Sequence, residues 1–582
     1  MFRFFPYVLS FLFLVGWRCL PLPQPIQPAF AEPTAIYSAR DRIHPVFARN
    51  GLVVSQEALA SEVGLTILKQ GGNAVDAAVA VGFALAVTLP QAGNLGGGGF
   101  MVVYNAVRRD SEALDFRETA PAAASRDHYL NKQGAVDEQR IRFSHQAAGV
   151  PGTVAGLALA HERHGRLPWR RLLEPAIRLA EQGFPISAEL SQSLQEARPR
   201  MERWPASLKV FFKADGAAYQ PGERLTQKDL ARSLRRIAVQ GPKAFYEGEI
   251  ARKLVADMAA HDGLITLDDL KNYRAVVREP VRGRYRDYEI VSMPPPSSGG
   301  VHLIQILNML ETWPLAELGS NSAATIHRLA EAMKLAYADR SEYLGDPDFV
   351  NVPVAGLTAK AYTQDLVKQI DLKKARPSTE IKPGQPQRYE SEQTTHYSVV
   401  DRQGNAVAVT YTLNFGYGSG IVAAGTGVLL NNEMDDFAAK PGVPNAYGLI
   451  GGDANAVGPG KRPLSSMTPT LVFKNRQPVL VTGSPGGSRI ITTVLQIVLN
   501  VIDHQMNIAE ATIAPRVHHQ WLPDELRVEE GLSPDTVRLL EGMSHTVVVK
   551  DAMGSTQSIV RGPEGWYGFS DTRRPGGLAA GY

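Results

Sequence analysis

Thr394-Thr395-His396-Tyr397-Ser398-Val399-Val400 is the stretch whose reading decides this chain. Upstream, residues 371–393 are polar and Pro-rich with no apolar period, as a flexible tether would be. Downstream comes a turn, Asp401-Arg402-Gln403-Gly404-Asn405, and then a second strand over 406–414. A tether running into a buried strand that opens with Thr suits a self-cleaving precursor. Cutting between Gln393 and Thr394 would give Thr394 a free α-amino group beside its own hydroxyl, a nucleophile and its base in one residue. An α-amino group titrates near pH 8, at roughly 7.7–8.0, close to what a general base needs at neutral pH. Taken alone, the segment also fits an ordinary Thr-rich strand after a surface loop.

The hairpin allows a register test. Pairing the strands symmetrically about Gln403 sets Thr394 opposite Thr412 and His396 opposite Thr410. A hydroxyl facing Thr394 could hold its amino group or hydroxyl. Asn414, two residues on, is expected on the same face as Thr412. A bulge in the turn would break this pairing.

At 582 residues the chain is too long for one ordinary core. The 61 basic and 58 acidic residues nearly balance, and no Lys/Arg run stands out, which excludes a nucleic-acid binder. Residues 1–31 read as a cleaved signal peptide: a basic start at Arg3, an apolar run over 4–17, and Ala29-Phe30-Ala31. The apolar run is short for a stable membrane anchor. Removing the segment takes away Arg3, Arg18 and Cys19, the one cysteine. The mature protein then has neither a disulfide nor a thiolate metal site, and export to a bacterial periplasm is expected.

Helical periods are expected over 55–69, from Asn73 to about Thr88, and over 151–164, 168–182, 226–239, 246–260, 301–312, 323–343 and 488–502. A strand is expected over 285–293, and a glycine loop, 96–99, leads into a strand at 101–104. Helices, then strands, then helices suggest an α+β fold with a layered αββα arrangement.

Several catalytic motifs are absent. There is no GxSxG elbow, no Walker A loop and no HExxH. The glycine run 96–99 could pass as a phosphate loop only weakly. His518 and His519 are adjacent, so on a strand they point to opposite faces and argue against joint metal ligation. They are taken as structural or surface residues, and no metal or cofactor is expected. Three clusters remain. Asn431-Asn432-Glu433-Met434-Asp435-Asp436 could bind a cationic amine through Glu433 and Asp436. Ser465 and Ser466 offer paired hydroxyls to a carboxylate. Gly486 and Gly487 precede an apolar helix and are placed as oxyanion-hole donors. Each cluster alone also fits a plain turn. Together they describe a Thr nucleophile, an oxyanion hole, a carboxylate binder and an amine binder, which suits an acyl group ending in an α-amino acid.

These segments, with Gly71-Gly72-Asn73-Ala74-Val75-Asp76, Asp115-Phe116-Arg117-Glu118, Gly483-Ser484-Pro485-Gly486-Gly487 and Gly554-Ser555-Thr556-Gln557-Ser558, resemble the γ-glutamyltransferase family of the N-terminal-nucleophile hydrolases. The likeness spans nearly all of the mature chain. It implies a four-layer αββα sandwich with a helical extension from the large subunit. It implies autocleavage into a large subunit, 32–393, and a small one, 394–582, which stay together as a heterodimer. Thr394 would then open the γ-glutamyl amide of glutathione and pass the acyl group to water, an amino acid or a peptide. By the same resemblance Arg117, Ser465 and Ser466 hold the α-carboxylate, and Asn414, Glu433 and Asp436 hold the α-amino group. Thr412 supports the nucleophile, and Tyr447 belongs to a lid over 441–451. One departure is Phe415 directly after Asn414, where bacterial relatives usually carry hydroxyls; it touches acceptor preference. The rival readings are a cephalosporin or glutaryl acylase of the same superfamily and an unprocessed periplasmic binding protein.

Overall fold

In the computed structural model residue 1 and residues 42–384, 395–446 and 448–582 are described. The leader with Cys19, the pair Gln393 and Thr394, and Tyr447 lie outside the described residues.

Two seven-stranded antiparallel sheets stack face to face. One runs Leu578–Gly581, Leu52–Ser55, Thr395–Val400, Ala406–Thr412, Gly98–Asn105, Asp110–Phe116, Val276–Arg278. The other runs Val46–Ala48, Trp566–Ser570, Gln557–Arg561, Gln477–Thr482, Thr470–Lys474, Tyr288–Ser292, Val281–Tyr285. Strand alternation builds the layers. Val54, Val102, Val400 and Ala408 of the first sheet meet Val291, Leu471, Val481 and Ile559 of the second. The opposite face of the first sheet, with Tyr397, Val399, Val407 and Val409, packs on Ala58–Lys69 and Ala74–Thr88. The outer face of the second packs on Gly299–Leu310, Ala323–Tyr343 and Arg489–Ile502. The αββα order expected from the sequence is the order observed, and Ala188–Met201, Pro205–Phe211 and Glu249–Ala260 add the helical extension.

Ala74–Thr88 shows why the Ala/Val pattern matters. Every residue of it is buried, as in a helix apolar on all sides. Asn73 and Asp76 close a capping box at its start. Small side chains let the sheet approach, so Tyr397 donates to Ala78 O at 2.9 Å and Tyr411 to Gly82 O at 3.0 Å. Two phenol hydroxyls thus bolt the central hairpin to the buried helix.

Three expectations change. The strand placed at 285–293 is a hairpin, Val281–Tyr285 and Tyr288–Ser292, whose turn uses Arg286 at a φ of 53°. His518 and His519 are both buried. His518 meets Thr492 and Gln520, and His519 faces Asp524 at 3.2 Å, so they are structural but not surface residues. The described part of the expected tether is tied down. Glu331 accepts from Arg376 N, Asp524 takes both Ser378 N and Oγ, Trp521 Nε1 donates to Ser378 O and Ile381 O, and Asp339 accepts from Gly384 N. Among the described residues no helix is long and apolar enough to cross a membrane.

Candidate active site

The central hairpin has the register read from the sequence. His396 pairs with Thr410 and Val400 with Ala406, with no bulge. The turn is held by Asp401, whose carboxylate accepts from Gln403 N, Asn405 N and Ala74 N. Thr412 is buried at the end of its strand and pairs with Gly98. Its Oγ1 accepts from Asn414 N at 2.8 Å. Asn414 reaches the site by a different route from strand alternation. The strand ends at Thr412, Asn414 turns at a φ of 71°, and its amide donates to Asn432 O at 3.0 Å.

The run 96–99 is a packing device. A Cβ at Gly97 would lie 1.9 Å from Thr412 O, one at Gly96 2.0 Å from Leu429 O, and one at Gly98 2.6 Å from Glu118 Oε2. Only glycine lets this segment enter the sheet beside Thr412 and Glu118.

At the head of the hairpin, Thr395 donates to the Gln56 side chain. Ser398 Oγ gives its proton to Gln557 O at 2.8 Å, so it accepts from His396 Nε2 at 3.0 Å. His396 Nδ1 is therefore the acceptor for Thr410 Oγ1 at 2.8 Å. Burial drives the His396 pKa down to about 3. A neutral imidazole with both nitrogens engaged is a spacer rather than an acid or base. Gly483 lies on its ring, where a Cβ would come 2.3 Å from Nδ1. That contact fixes the Gly483–Gly487 turn against the hairpin. Gly486 and Gly487 take φ of 137° and 64° just before the helix Arg489–Ile502, and neither N–H donates to a described residue.

The charged cluster is the most unusual feature. Arg117 follows the strand Asp110–Phe116, and Glu433–Asp436 form one 3-10 turn. Asn431 sets that turn, accepting from Gly149 N and Glu433 N while donating to Gly96 O and Gly149 O. The Arg117 guanidinium pairs with Glu433 and Asp436, and lies 3.5 Å from Glu118. All four side chains are fully buried. One cation thus serves three carboxylates in a dry site. The neighbouring Arg462 is turned to Asp115 and to the carbonyls of Arg117 and Arg274. Glu118 Oε1 and Glu433 Oε2 have no hydrogen-bond partner among the described residues. Burial pushes the Glu118 pKa up to about 7, and pushes that of Glu433 well above the usual carboxylate range. The cluster has room in its charge balance for a second cation.

Arg117 also ties the cluster to the serine pair, donating through Nε to Pro463 O at 3.0 Å and through Nη2 to Leu464 O. Ser465 is held through its backbone: its N–H donates to Pro296 O and its carbonyl accepts from Ser298 N. Behind Ser466 stands a residue the sequence reading missed. Arg340, 1% exposed, donates through Nη2 to Ser466 Oγ at 2.8 Å and through Nε to Ser298 Oγ at 3.1 Å. It has no carboxylate within ion-pair distance among the described residues. Because Ser466 Oγ accepts from Arg340, its own proton must point elsewhere. No local motif marks Arg340, which lies in the last turn of Ala323–Tyr343, more than a hundred residues from the serines. The helical extension reaches the Phe415 loop: Arg200 Nη2 donates to Gly416 O, and Ser193 meets the buried Tyr417 hydroxyl at 2.5 Å.

An αββα sandwich with an anion-rich, serine-lined cluster at the head of its central hairpin defines the N-terminal-nucleophile hydrolase class. The chain belongs to the gamma-glutamyltranspeptidase family, whose description matches residues 60–581. It is 57% identical over 557 residues to a glutathione hydrolase proenzyme of Escherichia coli (strain K12), covering 95% of each chain. A cephalosporin acylase from Bacillus halodurans superposes with a TM-score of 0.83 at 29% identity, covering 94% of this chain and 98% of that one. A Helicobacter pylori gamma-glutamyltranspeptidase chain matches with a TM-score of 0.57 at 47% identity, covering 60% of this chain and 98% of its own.

Proposed function

We propose that this chain is an exported, autoprocessed γ-glutamyltransferase that opens γ-glutamyl amides such as glutathione through an acyl-enzyme on Thr394. Thr394 Oγ1 attacks the Gln393 carbonyl, the peptide bond to its own nitrogen breaks, and water releases the resulting ester. The products are a large subunit ending at Gln393 and a small subunit beginning with a free amine on Thr394. The solved Helicobacter pylori chain, matched almost whole by 60% of this one, agrees with a boundary of that kind. Removal of 1–31 as a signal peptide, with periplasmic residence, completes the proposed maturation.

In turnover the α-amino group of Thr394 takes the hydroxyl proton and returns it to the leaving amine. Gly486 and Gly487 offer their N–H groups to the oxyanion, and Thr412 supports the nucleophile. Arg117, Ser465 and Ser466 take the substrate α-carboxylate, with the Ser466 proton directed by Arg340. Asn414, Glu433 and Asp436 take the α-ammonium, and Tyr447 covers the pocket. Substrate binding exchanges the internal pairs of Arg117 for pairs with the two ends of one zwitterion. Water then yields glutamate; an amino acid or peptide yields a new γ-glutamyl amide.

The observation that carries this reading is the buried cluster of three carboxylates around one guanidinium. A γ-glutamyl group brings the missing cation. A glutaryl group, the substrate class of the acylase reading, brings none, although the acylase fold superposes well. Intact mass and N-terminal sequencing of the purified protein test maturation. Two species, one beginning Thr394-Thr395-His396, are expected from wild type, and one uncut chain from Thr394→Ala. A wild-type chain that stays uncut on incubation overturns the proposal.

A further inference from the structure

The sandwich has a second charged end. At the far side of the central hairpin, roughly 20 Å from Thr395 at about 3.3 Å per residue, the turns of both sheets enclose a cleft of about 470 Å³. Five arginines line it: Arg49, Arg109, Arg402, Arg476 and Arg561. Arg109 and Arg402 come from turns of the first sheet; Arg49, Arg476 and Arg561 belong to the second. All five are exposed, and none has a carboxylate within ion-pair distance among the described residues. The one carboxylate lining the cleft is Glu564.

This departs from the rest of the surface, where exposed arginines are commonly paired. Arg108 meets Asp110 and Glu112, Arg163 meets Glu112, and Arg282 meets Glu289. The overall charge is only +3, so five unpaired cations around one cleft are a local concentration. The floor is rigid. Tyr104 packs edge-on against Phe473 at 5.0 Å, Trp566 is buried, and Arg561 lies over its ring at 5.4 Å. Arg109 and Arg476 project from left-handed turn positions, with φ of 57° and 62°, which limits where their side chains can point.

We propose that this cleft binds a phosphate-rich polyanion, that is, a ligand presenting two or more phosphoryl groups close together. Guanidinium forks match phosphoryl oxygens in pairs. Five of them in so small a volume call for several negative charges in one ligand. A free oligophosphate and the headgroups of an anionic phospholipid layer share this chemistry. The site is remote from Thr395, at the other end of the hairpin, so occupancy leaves the amide chemistry untouched.

The mature two-subunit enzyme is titrated with inorganic tripolyphosphate by calorimetry at low ionic strength. It is also sedimented with vesicles of phosphatidylcholine alone or mixed with phosphatidylglycerol. The comparison is Arg109→Asn/Arg402→Gln/Arg476→Asn, in which Asn tolerates the left-handed turn positions. The expected result is saturable binding by wild type, weakened at least about tenfold in the triple variant and by added salt. Turnover of γ-glutamyl amides stays equal in the two proteins. Tripolyphosphate binding without vesicle binding assigns a soluble ligand, and selective sedimentation with anionic vesicles assigns a lipid surface. Wild type that binds neither probe, or a triple variant that binds as tightly as wild type, overturns the proposal.

Discussion

The two ends of the central hairpin carry opposite charge in opposite settings. At the Thr395 end, three carboxylates share Arg117 in a fully buried cluster. At the turn end, five exposed arginines line one cleft beside Glu564. Screening separates them. Salt weakens an exposed charge within about 10 Å at 0.1 M, whereas a buried charge keeps its full cost until a specific partner arrives. The buried end can therefore read the position of one ammonium group, and the exposed end can read only the density of negative charge.

The largest effect that sharpens this contrast is at Asp436. Asp436→Asn removes a buried charge that pairs with Arg117 and is proposed to take the substrate ammonium. Breaking such a pair costs about 3–5 kcal/mol, so kcat/KM for a γ-glutamyl donor is expected to fall by roughly two to four orders of magnitude. Unchanged turnover, with native circular dichroism, would remove the amine assignment.

A smaller effect belongs to Arg340, which directs the Ser466 proton. In Arg340→Lys the charge persists, but one ammonium cannot reproduce the fork that reaches both Ser466 and Ser298. KM for the γ-glutamyl donor is expected to rise about tenfold with kcat nearly unchanged, the size of one hydrogen bond to a charged group. A donor whose α-carboxylate is amidated should show no such rise. Equal losses for both donors would make Arg340 purely structural.

The smallest effect is on stability. Burial raises the Glu118 pKa from 4.5 to about 7. The folded state then binds more protons than the unfolded chain between these values. Stability is greatest below about pH 4.5 as far as this group is concerned, and is lost as pH rises towards 7, by at most about 3 kcal/mol. The Tm of wild type should fall across that window, and Glu118→Gln should flatten the fall. A Tm profile identical in the two proteins would show that Glu118 ionises freely.

Much of this was legible in the chain because the signals are local. The hairpin register follows from the Asp401–Asn405 turn, the buried helix from the Asn73–Asp76 cap, and the layer order from the alternation of periods. Residues that act across the fold left no such trace. Arg340 meets Ser466 through packing of a long helix on the second sheet. The turn at Arg286 adopts a positive φ with no glycine or asparagine to announce it. Asn414 joins the site through a left-handed turn that strand alternation does not describe. Glu118 was visible in the motif, but its shared guanidinium was visible only in space.

The most direct test of the central claim is the ratio of kcat/KM for a γ-glutamyl amide to that for the matching glutaryl amide, which keeps the terminal carboxylate and differs only by lacking the α-ammonium group. Both are measured on the mature wild-type enzyme at neutral pH. A cluster that requires a second cation predicts a preference for the γ-glutamyl amide of at least about a hundredfold. Equal rates, or a preference for the glutaryl amide, would contradict the account.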